Sequence, residues 1–254
     1  MTASRAVFVK RGSGPGAIRA EAAGLRWLAS SGAVRVPTIR EVDDNRLVLD
    51  RIDTASASAR AAEELGRGLA GMHSAGAPAF GAPPPGGVVS AWIGQAPMRN
   101  ITGASWPEWY AEHRVLPYLK LARDRRIVDA DEAALITRAC DRLPELAGPA
   151  EPPARLHGDL WSGNVLWGAD GHAWLIDPAA HGGHRETDLA MLRLFGCPCL
   201  NRIIAGYQEV APLADGWPER VPLHQLFPLL VHVVLFGGGY VGQTVGAARA
   251  VLSI

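Results

Sequence analysis

Residues 155–180 read RLHGDLWSGNVLWGADGHAWLIDPAA, and the rest of the chain is read outward from them. Asp159 follows His157 and Gly158. Asn164 comes five residues later, and Asp177 closes an apolar run just before Pro178. The hydrophobic pattern predicts two short strands, 165–167 and 173–176, joined by the turn GADG at 168–171. One carboxamide then stands at the entrance of this hairpin and one carboxylate at its exit. The loop carrying Asp159 runs into the same entrance, so three oxygen-bearing side chains converge on one point.

Phosphoryl transfer from a nucleotide needs such a convergence. A carboxylate positions or deprotonates the acceptor hydroxyl, while an amide and a second carboxylate hold Mg²⁺ against the phosphates. Oxygen ligands suit a hard cation, and Asn supplies one without adding charge. Singly, each piece has a plainer reading: HGD as a self-capping loop, Asp-Pro as a turn. The combined spacing favours chemistry. Asp159 is the candidate catalytic residue, and Asn164 and Asp177 are the candidate metal ligands.

Composition narrows the class. The 254 residues suffice for one large domain or two lobes around a cleft. Lys plus Arg equals Asp plus Glu at 25 each, so a nucleic-acid-binding surface is not expected as the main function. The apolar segment 226–240 is too short, and too interrupted by Pro228, His232 and three glycines, to span a membrane. Residues 1–10 show no signal-peptide pattern. Cys140, Cys197 and Cys199 give no even framework and no second pair for zinc, which reads as reduced thiols in a cytoplasmic protein.

Upstream, residues 6–10 read as a strand ending in Lys10, residues 11–16 as a Gly-rich turn, and residues 17–30 as a helix carrying Glu21. A strand at 46–52 follows. Helices are predicted at 54–75, at 106–125 with a kink at Pro117, and at 129–146 with Asp129 as cap. Beyond the hairpin come helices at 186–195, with Leu189, Leu192 and Phe195 inward, and at 201–210, 221–236 and 241–252. His73 reads as a packed or capping residue.

Three longer stretches carry a family signature: HGDLWSGNV (157–165), IDPAAHGGHRETDLAMLRLFG (176–196) and LHQLFPLLVHVVLFGGGY (223–240). They resemble the fructosamine kinase, or ketosamine-3-kinase, family of aminoglycoside-phosphotransferase-like, protein-kinase-like enzymes. The resemblance runs from about residue 8 to 240. HGDxxxxN and the later Asp are shared by the whole class, whereas LWSGN, GHRExDLAM and LFGGGY are more specific.

The resemblance implies an α+β, bilobal protein-kinase-like fold: a small β-rich N-lobe (1–52) and a larger, mostly helical C-lobe (53–254). It implies ATP-dependent phosphorylation, with Mg²⁺, of a sugar hydroxyl on a ketoamine: a small molecule or a glycated protein. The role would be deglycation. Lys10, within FVK, would bind the α- and β-phosphates and be held by Glu21, within EAAGLRWL. Asp50, Arg51 and Ile52 fall where the inter-lobe hinge would meet adenine. Trp161 is expected to be a platform for the acceptor's apolar face, with His184 and Glu186 as further acceptor contacts. His157 and Asp188 would support the catalytic loop, Asp188 by reaching back to its backbone. IGQAPMRN (93–100) is similar to a segment lying near the substrate in the family, with Ala96 and Met98 departing from it.

One departure stands out. In the family, two strands and a glycine-bearing phosphate loop precede the lysine strand, and nine residues are too few for them. The loop at 12–16 follows Lys10, and Pro15 removes an amide donor. Either the sequence is a fragment or late-start version, or the phosphate loop is missing; in the second case a weaker grip on ATP and an open sheet edge at residues 6–10 are expected, hence a monomer or an edge-paired dimer. Rival readings are a phosphotransferase for an aminoglycoside, choline or homoserine, and a pseudokinase-like binding module.

Overall fold

The computed structural model describes residues 6–254 apart from Ser13 and Pro15, so part of the loop at 12–16 lies outside the described residues. The small lobe is a three-stranded antiparallel sheet in the order β1-β3-β2, formed by β1 (Val7–Arg11), β2 (Ile39–Val42) and β3 (Arg46–Asp50). Helix α1 (Ala17–Ala29) lies on it. Ile18, Ala22 and Leu25 fall on one face at helical spacing and close a small core with Leu47 and Leu49. The β2–β3 turn is fixed by Asp43, whose carboxylate accepts from the Asn45 and Arg46 N–H groups, both at 2.8 Å. Among the described residues β1 pairs only with β3, and Val7, Phe8 and Val9 are 49%, 54% and 48% exposed.

The larger lobe starts with helix α2 (Ala59–Ser74). It begins later than its pattern predicts. Thr54 is drawn into a bridge with Gly168, and Ser58 caps the helix by accepting from Ala61 N–H. The segment 93–100 belongs to a hairpin, β4 (Ser90–Ile93) and β5 (Ala96–Arg99), turning at Gly94 with φ 55°. The helix predicted at 106–125 is three pieces: α3 (Trp106–Tyr110), a π-turn (Ala111–Val115) and α4 (Leu116–Asp124). Pro117 explains the break. It has no N–H to give, and its ring crowds the carbonyl of His113 four residues back. That carbonyl instead accepts from Arg114 Nη1 at 3.1 Å.

Helix α5 (Ala130–Asp141) opens with a full capping box between Asp129 and Glu132, and a short α6 (Leu143–Leu146) follows, so the run at 129–146 is two helices. Strand β6 (Ala154–Leu156) pairs with β9 (His181–Gly183). Between them sits the predicted hairpin of β7 (Val165–Trp167) and β8 (Ala173–Leu175). Helices α7 (Arg185–Leu194), α8 (Leu200–Val210), α9 (Trp217–Phe236) and α10 (Val241–Leu252) complete the lobe.

Two contacts organise this packing. Gly66 on α2 meets Gly206 on α8. A Cβ on Gly66 would lie 2.0 Å from the Ile203 carbonyl and one on Gly206 2.4 Å from that of Glu63, so only glycine lets these backbones approach. Helix α9 is apolar almost all round and runs through the main core, where Leu223, Leu226, Phe227 and Leu230 are at most 2% exposed. No helix among the described residues is long and apolar enough to cross a membrane.

Candidate active site

The site is built on the loop between β6 and β7. Asp188, near the start of α7, accepts from His157 N–H at 2.7 Å and Gly158 N–H at 3.0 Å. Its partner on the other side is His73, with Nε2 3.1 Å from the carboxylate and Nδ1 2.9 Å from the Tyr207 hydroxyl. Burial alone would push the Asp188 carboxyl up, but His73 and the loop amides outweigh it and hold it below the ordinary carboxylate range. His157 Nε2 lies 2.9 Å from the Ile176 carbonyl, tying the loop to the exit of β8. Gly158 has φ 80°, and a Cβ there would sit 2.2 Å from the Ala179 carbonyl. Asp188 thus reaches back to the backbone of this loop, with His73 packed behind it.

This scaffold presents Asp159 beside Asn164. The Asn164 Nδ2 donates to the Asp159 carboxylate at 3.1 Å and to its carbonyl at 2.8 Å, which leaves the amide oxygen open to a ligand. Asp177 adopts φ 53°, a left-handed conformation uncommon for a non-glycine residue and a mark of a constrained functional position. Lys10 reaches across from β1 to bridge Glu21 at 2.7 Å and Asp177 at 2.9 Å. Two carboxylates thus share one ammonium, and Glu21 Oε1 is buried with no hydrogen-bond partner. The surplus negative charge and the all-oxygen donor set of Asn164 and Asp177 fit a hard divalent cation.

The charges are tuned by this crowding. Desolvation pushes the Glu21 carboxyl up against the pull of Lys10, with Asp177 adding like charge. Lys10 is held above its ordinary range, because Glu21 and Asp177 outweigh its desolvation. Desolvation also raises Asp159 to about 7; Asn164 opposes the shift, and Asp177 and Asp188 add to it.

The folded pKa of Asp159 exceeds its unfolded value. The related stability is therefore complete below pH about 4 and is lost as the pH rises through about 7. In EDTA, where no metal competes, Asp159→Asn should melt roughly 8–16 °C above the wild type at pH 8 and level with it at pH 4. Equal melting temperatures at both pH values would mean that Asp159 ionises without penalty.

Lys10, Glu21, Asp159, Trp161, Asn164 and Asp177 all line one cleft of about 380 Å³ between the lobes. Trp161 is 37% exposed; its ring lies on Gly163 and its edge meets Phe195 at 6.2 Å. Phe195 is half-buried in this aromatic group, so its predicted inward core position is corrected.

Two further groups of expected contacts lie elsewhere. Asp50 is buried and takes a two-pronged ion pair from Arg40 at 2.5 and 3.0 Å. The Asp50 and Arg51 N–H groups are spent on the Thr38 and Ala6 carbonyls, both at 2.9 Å, and Asp50, Arg51 and Ile52 do not line the cleft. His184 and Glu186 are 3% and 2% exposed in a cluster with Trp106, Arg220 and His224, also off the cleft. There His184 caps α7, and Arg220 grips Glu186 at 2.9 and 2.6 Å. Both side chains are therefore engaged within the larger lobe, away from the cleft where acceptor contacts were expected.

Asn100, at the end of the segment 93–100 expected near the acceptor, lines the cleft, and so do Trp92, His232 and Phe236, to which the sequence reading gave no role. The pattern of α9 placed the last two on a helix without showing that its end reaches the site. An exposed Phe236, at 65%, is the kind of signal that only a structure provides.

The geometry resembles a small-molecule kinase, and comparison with known proteins decides the family. A model of the fructosamine kinase family matches residues 2–253. The chain belongs to the fructosamine kinase family. A Thermus thermophilus relative named a probable ketoamine kinase is 37% identical over 229 residues, covering 90% of this chain and 80% of the relative. A chloroplastic protein-ribulosamine 3-kinase from Arabidopsis thaliana is 33% identical over 240 residues, covering 92% and 72%. Among solved structures, a Thermobifida fusca chain assigned to the fructosamine-3-kinases superposes with TM-score 0.94 at 49% identity, covering 100% of this chain and 88% of that one. The choline kinase LicA of Streptococcus pneumoniae, at 15% identity and TM-score 0.63, shows the shared bilobal kinase-like fold alone. This member of the fructosamine kinase family therefore keeps the α+β, two-lobed architecture expected from its motifs.

Proposed function

We propose that this chain transfers the γ-phosphoryl group of ATP to a sugar hydroxyl of a ketoamine, free or on a glycated protein. The observation that carries the reading is the meeting of Asp159, Asn164 and Asp177 at the floor of one cleft, in a chain of this family. The acceptor oxygen forms the new bond to phosphorus, the bond from the γ-phosphorus to the bridging oxygen breaks, ADP leaves, and the acceptor proton goes to Asp159. Asn164 and Asp177 would hold Mg²⁺ through their oxygens, and the bound ion would supply charge neutralisation for the transferring phosphate. Lys10, braced by Glu21, contacts the α- and β-phosphates. Glu21 and Asp177 engage two of its three donors.

Residues 1–52 form the nucleotide lobe in this account, and residues 53–254 carry the catalytic loop and acceptor site. Phosphorylation makes the adduct labile, so the biological role is deglycation. ADP release measured with ribuloselysine, an aminoglycoside, choline and homoserine tests the substrate class. Turnover on ribuloselysine at least tenfold above the others is expected. Turnover confined to one of the other three would replace the assignment.

Trp161 supplies a broad apolar face beside the catalytic loop, suited to the CH groups and the amine of such an acceptor. Trp161→Ala should therefore raise KM for the ketoamine by about tenfold or more and leave KM for ATP within a factor of about two. Equal rises in both, with a lowered Tm, would make Trp161 a packing residue.

A further inference from the structure

Asn100, at the end of the β4–β5 hairpin, is 3% exposed and lines the cleft that holds Asp159. Its Oδ1 accepts from Arg114 Nη2 at 3.1 Å. A guanidinium has donors and no acceptor, so this contact fixes which way the amide points. The Nδ2 is thereby turned away from Arg114, and it is buried with no hydrogen-bond partner. A buried donor left unpaired is costly. An oxygen entering the cleft would relieve it.

Arg114 shows why the donor is held so firmly. It is wholly buried, on the π-turn that Pro117 imposes. Its guanidinium donates to the Arg99 carbonyl at 2.9 Å and to the His113 carbonyl at 3.1 Å, and lies 4.6 Å from the Trp109 ring centre. Its Nε faces His181 Nε2 at 3.5 Å. None of these partners is a carboxylate. The buried positive charge therefore acts through the Asn100 amide, whose accepting oxygen it polarises and whose Nδ2–H it makes a stronger donor. His181 links this group to the catalytic loop: its Nδ1 lies 2.8 Å from the Ala179 carbonyl, and a Cβ on Gly158 would come within 2.9 Å of it.

We infer that Asn100 is a specificity-determining residue, with Nδ2 donating to the ketone oxygen next to the hydroxyl that is phosphorylated and Arg114 acting as its positioning residue. This rests on the proposed function. The chemistry matches at both points. Asp159 offers an acceptor, which a hydroxyl can satisfy. Asn100 has only a donor left, which suits an atom that accepts and cannot donate. An α-hydroxyketone presents that pair on neighbouring carbons, whereas a polyol presents two hydroxyls. The site would thus read the carbonyl that distinguishes a ketoamine from a plain amino-polyol.

The test compares a ribuloselysine peptide with the same peptide after borohydride reduction of its ketone. The wild type should prefer the ketone roughly 10–100-fold in kcat/KM. Asn100→Asp keeps an oxygen for Arg114 but turns the second oxygen on the ketone. It should lower kcat/KM for the ketoamine about 100-fold, leave KM for ATP within about twofold, and shrink the ketone preference to about threefold or less. Asn100→Ala removes the donor without adding charge and should lose the preference to the same extent. Retention of the preference in either variant with a wild-type-like melting profile overturns the assignment, as does a rise in KM for ATP in step with that for the ketoamine. A wild-type chain that turns over no ketoamine overturns the proposed function itself, and this inference with it.

Discussion

Asp159→Asn should lower kcat by about 10²–10⁴-fold while nucleotide affinity stays nearly unchanged. The amide keeps the size of the side chain, and its oxygen can still accept from Asn164 Nδ2, which now lies 3.1 Å from the carboxylate. The loop itself is held by Asp188 and His157 and does not depend on Asp159 ionisation. What disappears is the group that takes the acceptor proton. Steady-state rates at saturating ATP and ketoamine check this, with nucleotide binding followed separately. An unchanged kcat would place proton acceptance on another residue.

Asp177→Asn should bring phosphoryl transfer down by roughly 10³-fold or more, and chelation of the wild type should do the same. The fold should survive. Asp177 sits at φ 53°, a conformation that Asn tolerates well, and Lys10 keeps its 2.7 Å pairing with Glu21. The loss then reports on the metal. Isothermal titration with Mg²⁺ in the presence of a non-hydrolysable nucleotide should show weakened metal uptake by the variant. Transfer that persists in excess EDTA would remove Asn164 and Asp177 from the metal site.

The candidate site is legible in the sequence because its parts are local. His157 to Asn164 lie on one loop, and the hairpin that follows has short alternating strands around a GADG turn. Asp188 could be anticipated because a catalytic loop needs an anchor. The Lys10–Glu21 pair became readable only beside those motifs, since each residue alone also suits a solvated surface.

The failures are non-local. The β4–β5 hairpin hid behind Pro97, which argues against a strand and is accommodated here because the ribbon has only two strands. Glu186 finds Arg220 across 34 residues of sequence, a pairing that no spacing rule reveals. Arg114 reads as one more charge on an amphipathic helix until the π-turn rotates it inward. The backbone expected to meet adenine is partly consumed by sheet hydrogen bonds to Thr38 and Ala6, which depend on how three distant strands align.

In this mechanism the cleft delivers a phosphoryl group to a ketoamine hydroxyl through Asp159. Phosphorus NMR of a reaction containing the enzyme, Mg·ATP and ribuloselysine tests it most directly. A new phosphate-ester resonance coupled to a sugar proton is expected, growing in step with ADP and absent with Asp159→Asn. ADP accompanied only by inorganic phosphate, or an ester formed equally by the Asp159→Asn chain, would contradict it.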